Sequence, residues 1–191
     1  MGQLKALLPF RGSSLIEYQV NSLNKAGVAR IMVVLGHEKS VLSPLLEGVP
    51  GVGWVDNPDY RQGKTTSVKA GMRALQDEAT EASGILVLNV DQPRTPECAR
   101  SIMEQHLRHQ DGMDTPSLMT IPTCRGKGGH PIIFHPSLVP EVMEIEEGAQ
   151  GLKALVRRHE DRTLRLETEN PEVLLDLNTA EDYKAALAHF G

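Results

Sequence analysis

The sequence contains few cysteines and few aromatic residues, and each scarcity excludes a class of protein. Cys98 and Cys124 are the two cysteines, too few for a disulfide framework or a four-cysteine zinc site. We expect both thiols to be reduced, as they are in the cytoplasm. Because aromatic residues make up only 4% of the chain, the core must be aliphatic, which suits a sheet of Val, Ile and Leu packed against helices.

Long apolar runs and an excess of positive charge are also absent. No run approaches the ~20 apolar residues that a membrane-spanning helix needs, and the first residues lack the apolar stretch of a secretory signal. Lys and Arg number 20 against 25 Asp and Glu, which gives a net charge of −5. This balance argues against nucleic acid or an anionic membrane as the main partner. The length predicts one domain covering residues 1–191.

Apolar runs alternate with helical patterns along the chain. Residues 30–35 and 84–90 are continuous apolar runs, typical of strands buried on both faces of a parallel sheet. A capping box, Ser14 with Glu17, and the stop residue Gly27 predict a helix over 15–26. Weaker signals predict strands at 53–56, 117–122, 131–134, 163–168 and 173–175, and helices at 39–47, 65–79, 96–110, 137–145, 149–159 and 180–189. The alternation predicts an α/β fold with a doubly wound, mostly parallel sheet.

Ligands of such sheets bind beyond the carboxyl ends of the strands, so the residues after each strand are the candidates for a site. Asp91 follows the run 84–90, where a carboxylate can hold Mg²⁺ or simply cap the next turn. Gly36 and Asn57 follow two other predicted strands.

Two glycine-containing segments are candidate ligand loops. Residues 63–67, Gly-Lys-Thr-Thr-Ser, open a predicted helix, where amides and hydroxyls can hold an anion or only cap the helix. The P-loop pattern is absent. The basic segment 125–131 contains three glycines and can approach a ligand closely, or it can be a hairpin-like connection with solvated charges.

The remaining polar candidates are ambiguous when taken singly. Lys5 alone has the pattern of a surface lysine, and Asp176 and Asn178 can cap the last helix or give oxygen ligands to a metal. His106 and His109 are three residues apart on a polar helix, so we expect a solvated face rather than a metal site. Hydrolytic and redox chemistry have no motif in this sequence.

Taken in order, five segments resemble the MobA-like NTP transferases, and within them the molybdenum-cofactor cytidylyltransferase branch. No single segment is specific, but the set spans nearly the whole chain in the order of the family. The segments are Met1-Gly2-Gln3-Leu4-Lys5-Ala6-Leu7-Leu8-Pro9-Phe10, Asn57-Pro58 with Gly63 and Ser67, Val90-Asp91-Gln92-Pro93, Gly129-His130-Pro131, and Asp176-Leu177-Asn178-Thr179 with Glu181-Asp182-Tyr183.

The resemblance implies a Rossmann-like nucleotidyltransferase fold and roles for single residues. Lys5 matches the lysine that holds the nucleotide phosphates, and Asp91 matches the metal-binding aspartate. Asn178 stands where the family usually has a second metal-binding aspartate, with Asp176 as the reserve candidate. An amide keeps an oxygen donor but loses a charge, so Asn178 implies weaker metal binding there.

The resemblance also implies a reaction and its partners. The substrate would be an NTP, CTP or GTP, whose nucleotidyl group is transferred to a phosphorylated pterin, molybdopterin, with Mg²⁺ as cofactor and pyrophosphate as product. A molybdoenzyme or its chaperone is a further expected partner. A truncated, non-catalytic nucleotide-binding relative is the alternative. The residues expected to bind nucleotide or substrate, besides Lys5, are Asn57, Gly63, Ser67, Gly129 and His130.

One feature of the family does not occur in this chain. Members begin with a strand and a glycine-rich loop, roughly Leu-Ala-Ala-Gly-x-Ser-x-Arg, immediately before the position of Met1. Because that strand lies in the middle of the sheet, we expect a missing first strand to leave two inner strands with unpaired backbone groups. A translation start upstream of Met1 or a truncated relative would explain the difference.

Overall fold

The computed structural model describes residues 4–110 and 116–190, so the segment Met1-Gly2-Gln3 lies outside the described residues. Within those ranges, helices and strands alternate as the sequence predicts. The α-helices are α1 (Leu15–Ala26), α2 (Lys39–Leu42), α3 (Lys64–Glu81), α4 (Pro96–Gln110), α5 (Val139–Glu144), α6 (Leu152–Arg158) and α7 (Ala180–Phe190). The strands are β1 (Pro9–Phe10), β2 (Ser13–Ser14), β3 (Ile31–Leu35), β4 (Val52–Asp56), β5 (Ile85–Val87), β6 (Met119–Cys124), β7 (Lys127–Gly128), β8 (Ile132–Phe134) and β9 (Thr163–Glu167).

Helix α1 has the termini that its sequence predicts. The Ser14 hydroxyl accepts a hydrogen bond from the Glu17 amide, and the Glu17 carboxylate accepts one from the Ser14 amide. Gly27 ends the helix in the left-handed conformation, at φ +99°. The reciprocal bonds satisfy two amides that the first helical turn leaves free.

Most of the remaining strands belong to one mixed sheet of five strands in which β6 is central. β6 pairs antiparallel with β8 and β7 and parallel with β9, and β8 pairs antiparallel with β5. Because β5 and β6 both oppose β8, they run in the same direction. Their carboxyl ends therefore face the same end of the sheet, which is where the α/β fold is expected to bind ligands.

β3 and β4 form a separate parallel pair, with Ile31 opposite Val52 and Leu35 opposite Asp56. No strand hydrogen-bonds the other edge of β3 within residues 4–110 and 116–190. The core between the two sheets contains Ile31 and Leu35, with Leu86 packed against it. Helix α3 packs on β3, β4 and α5, and α1 packs on β3 and α4. Helices therefore connect the two sheets.

The structure corrects the prediction of a parallel, buried strand over 84–90. β5 covers Ile85–Val87 only, its hydrogen-bonded partner is antiparallel, and residues 86–90 are half-buried. β8 is three residues long, so it can pair only three residues of β5. In the described part of the chain, the other edge of β5 has no strand partner, and the rest of the run is not held extended in the sheet.

Two further predictions are wrong. Residues 173–175 are not a strand, since Pro171–Leu174 is a 3₁₀ turn in which the Asn170 side chain accepts from the Glu172 amide. His106 does not lie on a solvated face: it is 1% exposed, and its Nδ1 lies 2.8 Å from Thr120 Oγ1. Burial lowers the pKa of His106, which favours the neutral ring.

The helices of the described residues are all too short or too polar to cross a membrane. Cys98 and Cys124 are both buried, and neither forms a disulfide in the structure.

Candidate active site

Lys5 and Asp91, 86 residues apart in sequence, form an ion pair. Lys5 Nζ lies 2.9 Å from Asp91 Oδ2 and 3.1 Å from Asn178 Oδ1, so one ammonium group bridges two side chains. The Leu177 amide donates to the Asp91 carbonyl at 2.8 Å, which holds the segment before α7 against the loop that follows β5. The structure thus brings together three of the residues that the sequence analysis selects.

Oxygen donors for a cation are available at this cluster. Asp176 lies two residues before Asn178, and its Oδ1 is buried with no hydrogen-bond partner in the described structure. Among the described residues, no group of three or more His, Cys, Asp and Glu is arranged as a closed metal site. Mg²⁺ commonly takes one or two carboxylates and completes its shell with phosphate oxygens and water. Asp91 and Asp176 fit that requirement.

His130 is connected to the Asp91 segment through Gln92, a residue that the sequence analysis did not select. Gln92 is 4% exposed, and its Nε2 lies 3.2 Å from His130 Nδ1. Burial, reinforced by the positive charge of Arg94, lowers the pKa of His130 to about 4. Lys64 also lowers it, and Asp91 and Asp176 act in the opposite direction. The ring is therefore neutral at physiological pH.

Arg94 is 1% exposed and anchors the chain around the site through four carbonyl oxygens. It donates to the carbonyls of Pro93, His130, Val173 and Leu175 at 2.7 to 3.2 Å. Desolvation lowers the pKa of this guanidinium to about 10, so it stays charged. One buried arginine thus holds the strand-end loop of Asp91, the His130 segment and the chain that leads to Asp176.

Gly129 permits the close approach between two of these segments. A Cβ at this position would lie 2.2 Å from the Val173 carbonyl oxygen, a distance that real side chains do not reach. The preceding residues form a tight turn, with Arg125 and Gly126 at positive φ between β6 and β7. Residues 123–128 therefore form a hairpin, and the charges of Arg125 and Lys127 are exposed.

Asn57 organises a second group of polar side chains at the N-terminus of α3. Its Nδ2 donates to Thr66 Oγ1 at 2.9 Å and to Ser67 Oγ at 3.0 Å, and its Oδ1 accepts from the Asp59 amide. Asn57 is 3% exposed. Because both hydrogens of its amide group are engaged, it positions the hydroxyls of Thr66 and Ser67.

The amides at the start of α3 are partly occupied by a side chain from elsewhere in the fold. The Glu147 carboxylate accepts from the Thr65 amide at 2.8 Å and from the Thr65 hydroxyl. Gly63 is at φ +120°, and a Cβ there would lie 2.4 Å from Glu147 Cδ. Glu147 therefore caps the helix, and Gly63 leaves room for it.

The selected residues thus fall into two groups. The Asp91 group contains Lys5, Asp91, Asp176, Asn178, Gly129 and His130, and the Asn57 group contains Asn57, Gly63 and Ser67. No side-chain hydrogen bond joins the two groups in the described part of the chain, although Lys64 is close enough to influence His130. Sequence reasoning missed Gln92, Arg94 and Glu147, because their partners lie 36 to 82 residues away.

Comparison with known proteins identifies the family of this chain. The MobA-like NTP transferase domain matches residues 1–163. The chain is 27% identical over 188 residues to the molybdenum cofactor cytidylyltransferase of Escherichia coli K12, a match that covers 97% of this chain and 88% of the relative.

Solved structures show the same fold. A nucleotidyl transferase from Methanothermobacter superposes with a TM-score of 0.76 at 27% identity, covering 97% of this chain and 84% of the other. A Mycobacterium tuberculosis H37Rv protein, solved as a complex with manganese, superposes with a TM-score of 0.75 at 23% identity. The match covers 98% of this chain and 93% of the other. The domain match extends over most of the sequence, and on that ground the chain belongs to the MobA-like NTP transferase family.

Proposed function

We propose that this nucleotidyltransferase transfers CMP from CTP to a phosphorylated pterin, molybdopterin, and releases pyrophosphate. The observation that carries the proposal is the Lys5 ammonium held between Asp91 and Asn178 at the ligand-binding end of the sheet. The Escherichia coli relative, a molybdenum cofactor cytidylyltransferase, supports both the base and the acceptor. GTP remains the competing nucleotide.

The chemistry requires alignment and charge neutralisation more than covalent participation. An oxygen of the acceptor phosphate attacks the α-phosphorus of CTP, the bond to the bridging oxygen of the β-phosphate breaks, and pyrophosphate leaves with that electron pair. The acceptor phosphate is already ionised near pH 7, so it needs no general base. Lys5 would leave its present partners to neutralise the phosphates, which lowers the barrier when the charge develops in a water-poor site.

A divalent cation, Mg²⁺ in this proposal, would be held by Asp91 with Asp176 or Asn178. When bound, it would neutralise phosphate charge and orient the triphosphate. The buried, unpartnered Asp176 Oδ1 supports a ligand role for Asp176, and the manganese complex of the mycobacterial relative supports a divalent ion in this fold.

The Asn57 group and the His130 segment would bind the remaining parts of the substrates. Ser67, held by Asn57, offers a hydroxyl at the start of α3. Gly63 and Gly129 would shape the two segments by admitting Glu147 and the Val173 carbonyl beside them. We place the enzyme in the cytoplasm, where its two cysteines stay reduced, and propose a molybdoenzyme or its chaperone as the recipient of the product.

A nucleotide panel tests the proposal. The protein, as printed and with an added N-terminal strand, is incubated with Mg²⁺, molybdopterin and each NTP in turn, and pyrophosphate release is measured. CTP is expected to give the highest rate, and Asp161→Ala, which removes an exposed carboxylate, should not change it. Pyrophosphate release with GTP alone would overturn the choice of base. NTP binding without release in either form would favour the non-catalytic alternative.

A further inference from the structure

We propose that Gln92 is a positioning residue that keeps the only ring proton of His130 on Nε2, from which it is donated to a phosphate oxygen. The phosphate part of this inference rests on the proposed function, and the proton position does not. Gln92 would act through His130, which would contact the substrate.

The orientation of the Gln92 amide follows from a backbone partner. Gln92 Oε1 lies 3.2 Å from the Asn89 amide nitrogen, and since a backbone N–H can only donate, the atom facing it must be the oxygen. The Asn89 side-chain amide reaches the same oxygen at 3.1 Å. Nε2 of Gln92 therefore faces His130, and the assignment does not depend on the usual ambiguity between the two ends of an amide.

The tautomer of His130 follows from that orientation. Gln92 Nε2 lies 3.2 Å from His130 Nδ1, and an amide nitrogen offers only hydrogens, so Nδ1 must accept. A neutral imidazole that accepts at Nδ1 carries its proton at Nε2. Within residues 4–110 and 116–190, no hydrogen bond is found for His130 Nε2, and it is not among the buried unpartnered atoms. The donor is thus available to a ligand.

The main chain on both sides of the contact is also fixed. The His130 amide donates to the Val173 carbonyl at 2.8 Å, and Arg94 Nε donates to the His130 carbonyl at 2.9 Å. On the other side, Gln19 Nε2 donates to the Gln92 carbonyl at 3.0 Å. The backbone of both residues is thus held in place before any ligand arrives, and the contact between Gln92 Nε2 and His130 Nδ1 then orients the ring.

A neutral donor suits a position near carboxylates. The lowered pKa keeps the ring uncharged, so it does not pair permanently with Asp91 or Asp176 as an imidazolium would. It can still donate to a phosphate oxygen. Lys5 supplies the positive charge in this site, and His130 would orient the phosphate through a hydrogen bond from Nε2.

Nitrogen-15 NMR of the imidazole in the free protein tests the tautomer directly. The wild-type protein should show a protonated Nε2 and an unprotonated Nδ1. Gln92→Met, which conserves charge and approximate size, should give a mixture of tautomers. Gln92→Glu should place a proton on Nδ1, because a carboxylate can only accept. Gln105→Glu on the exposed face of α4 is the matched control and should leave the pattern unchanged.

Ligand titration then identifies the phosphate. CTP alone should shift the Nε2 resonance if the oxygen belongs to the nucleotide, and inorganic phosphate added to the CTP-saturated protein should shift it if it belongs to the acceptor. Gln92→Met should weaken the responsible interaction by about tenfold, the size expected for one hydrogen bond.

Two results would overturn the inference: a wild-type proton on Nδ1, or an Nε2 resonance that neither ligand moves. Absence of pyrophosphate release with molybdopterin would count against the proposed function instead, because the tautomer is measured without substrate.

Discussion

The two sheets carry the two groups of site residues, and they hold them in different ways. In the small half, which is β3, β4 and the start of α3, Asn57 reaches side chains only 9 and 10 residues away, and the group is neutral apart from its Glu147 cap. The large half is the five-stranded sheet with its loops and the segments that contact them. There Lys5 reaches from the segment before β1 to residues 86 and 173 positions away. Local turn chemistry builds the first group, and the topology of the whole chain builds the second.

This difference predicts which parts of the fold each group of site residues needs in order to form. The Asn57 group can form as soon as its loop and helix form, whereas the Asp91 group requires β5, the first residues and the segment before α7 to be in place together. The two halves share helices but no strand pairing within the described residues. Any change in the position of one half relative to the other would therefore separate the two groups.

Joining the halves with a strand should give the largest effect. Among residues 4–110 and 116–190, one edge of β3 and one edge of β5 have no strand partner, and both lie beside one core. An apolar strand added before Met1 would bury about five aliphatic side chains there. At ~1.5–3 kcal/mol each, the gross gain is about 8–15 kcal/mol, comparable to the net stability of a domain. We expect the melting temperature and NTP affinity to rise together. Equal melting and equal NTP binding with and without the strand would refute this expectation.

Removing the carboxylate of Asp91 should affect catalysis and not folding. Asp91→Ala should lower nucleotidyl transfer by about 10²–10³-fold or more, the cost of losing a preorganised electrostatic group, and Asp91→Asn should also be severe. The rate of pyrophosphate release measures the effect, and the melting temperature shows whether the fold is intact. Near-normal turnover in either variant would exclude the role proposed for this carboxylate.

Removing the Asn57 side chain should reduce stability more than it reduces catalysis. Asn57→Ala leaves the Asp59 amide without its partner and the two hydroxyls without a donor, which should cost about 1–3 kcal/mol of stability. The expected loss in transfer rate is smaller than that of Asp91→Ala. Urea unfolding and steady-state kinetics measure the two effects. A variant with full stability and no activity would mean that Asn57 contacts substrate itself.

Lys5 should compete with a divalent cation for the same oxygens. Lys5→Met frees Asp91 Oδ2 and Asn178 Oδ1, so Mn²⁺ binding without nucleotide should tighten by about tenfold, while CTP binding weakens. Electron paramagnetic resonance of free Mn²⁺ measures the first effect and calorimetry the second. Lys184→Met, at an exposed position in the middle of α7, is the control. Unchanged Mn²⁺ affinity in Lys5→Met would place the cation elsewhere.

Predictions from the sequence were accurate for features that depend on the spacing and type of residues close together in the chain. The capping box of α1, the α/β alternation and the parallel pairing of β3 follow from spacing and residue type. It failed over 173–175, where the carbonyls of Val173 and Leu175 bond to Arg94 instead of a neighbouring strand. It also failed for His106, because the polar character of α4 gives no sign of which face meets the sheet.

The candidate site was predictable as a set of residues but not as a geometry. Lys5, Asp91 and Asn178 were selected by resemblance, and their contact follows from topology that no local pattern encodes. Arg94 follows Pro93 in a loop, a position that is ordinarily solvent-exposed for arginine. Only the folded chain shows that it is buried and that it holds three segments.

His106 and His130 make the large half sensitive to acid. Apart from the two cysteines, Arg94, His106 and Glu172 are the buried ionisable residues among those described, and all three belong to that half. For His130, whose pKa falls from 6.5 to about 4 on folding, the stabilising contribution is complete above pH 6.5 and is lost as the pH falls towards 4. His106 has a shift of the same sign. Mild acid should therefore loosen the Asp91 group before the small half, as a pH series of hydrogen exchange would show.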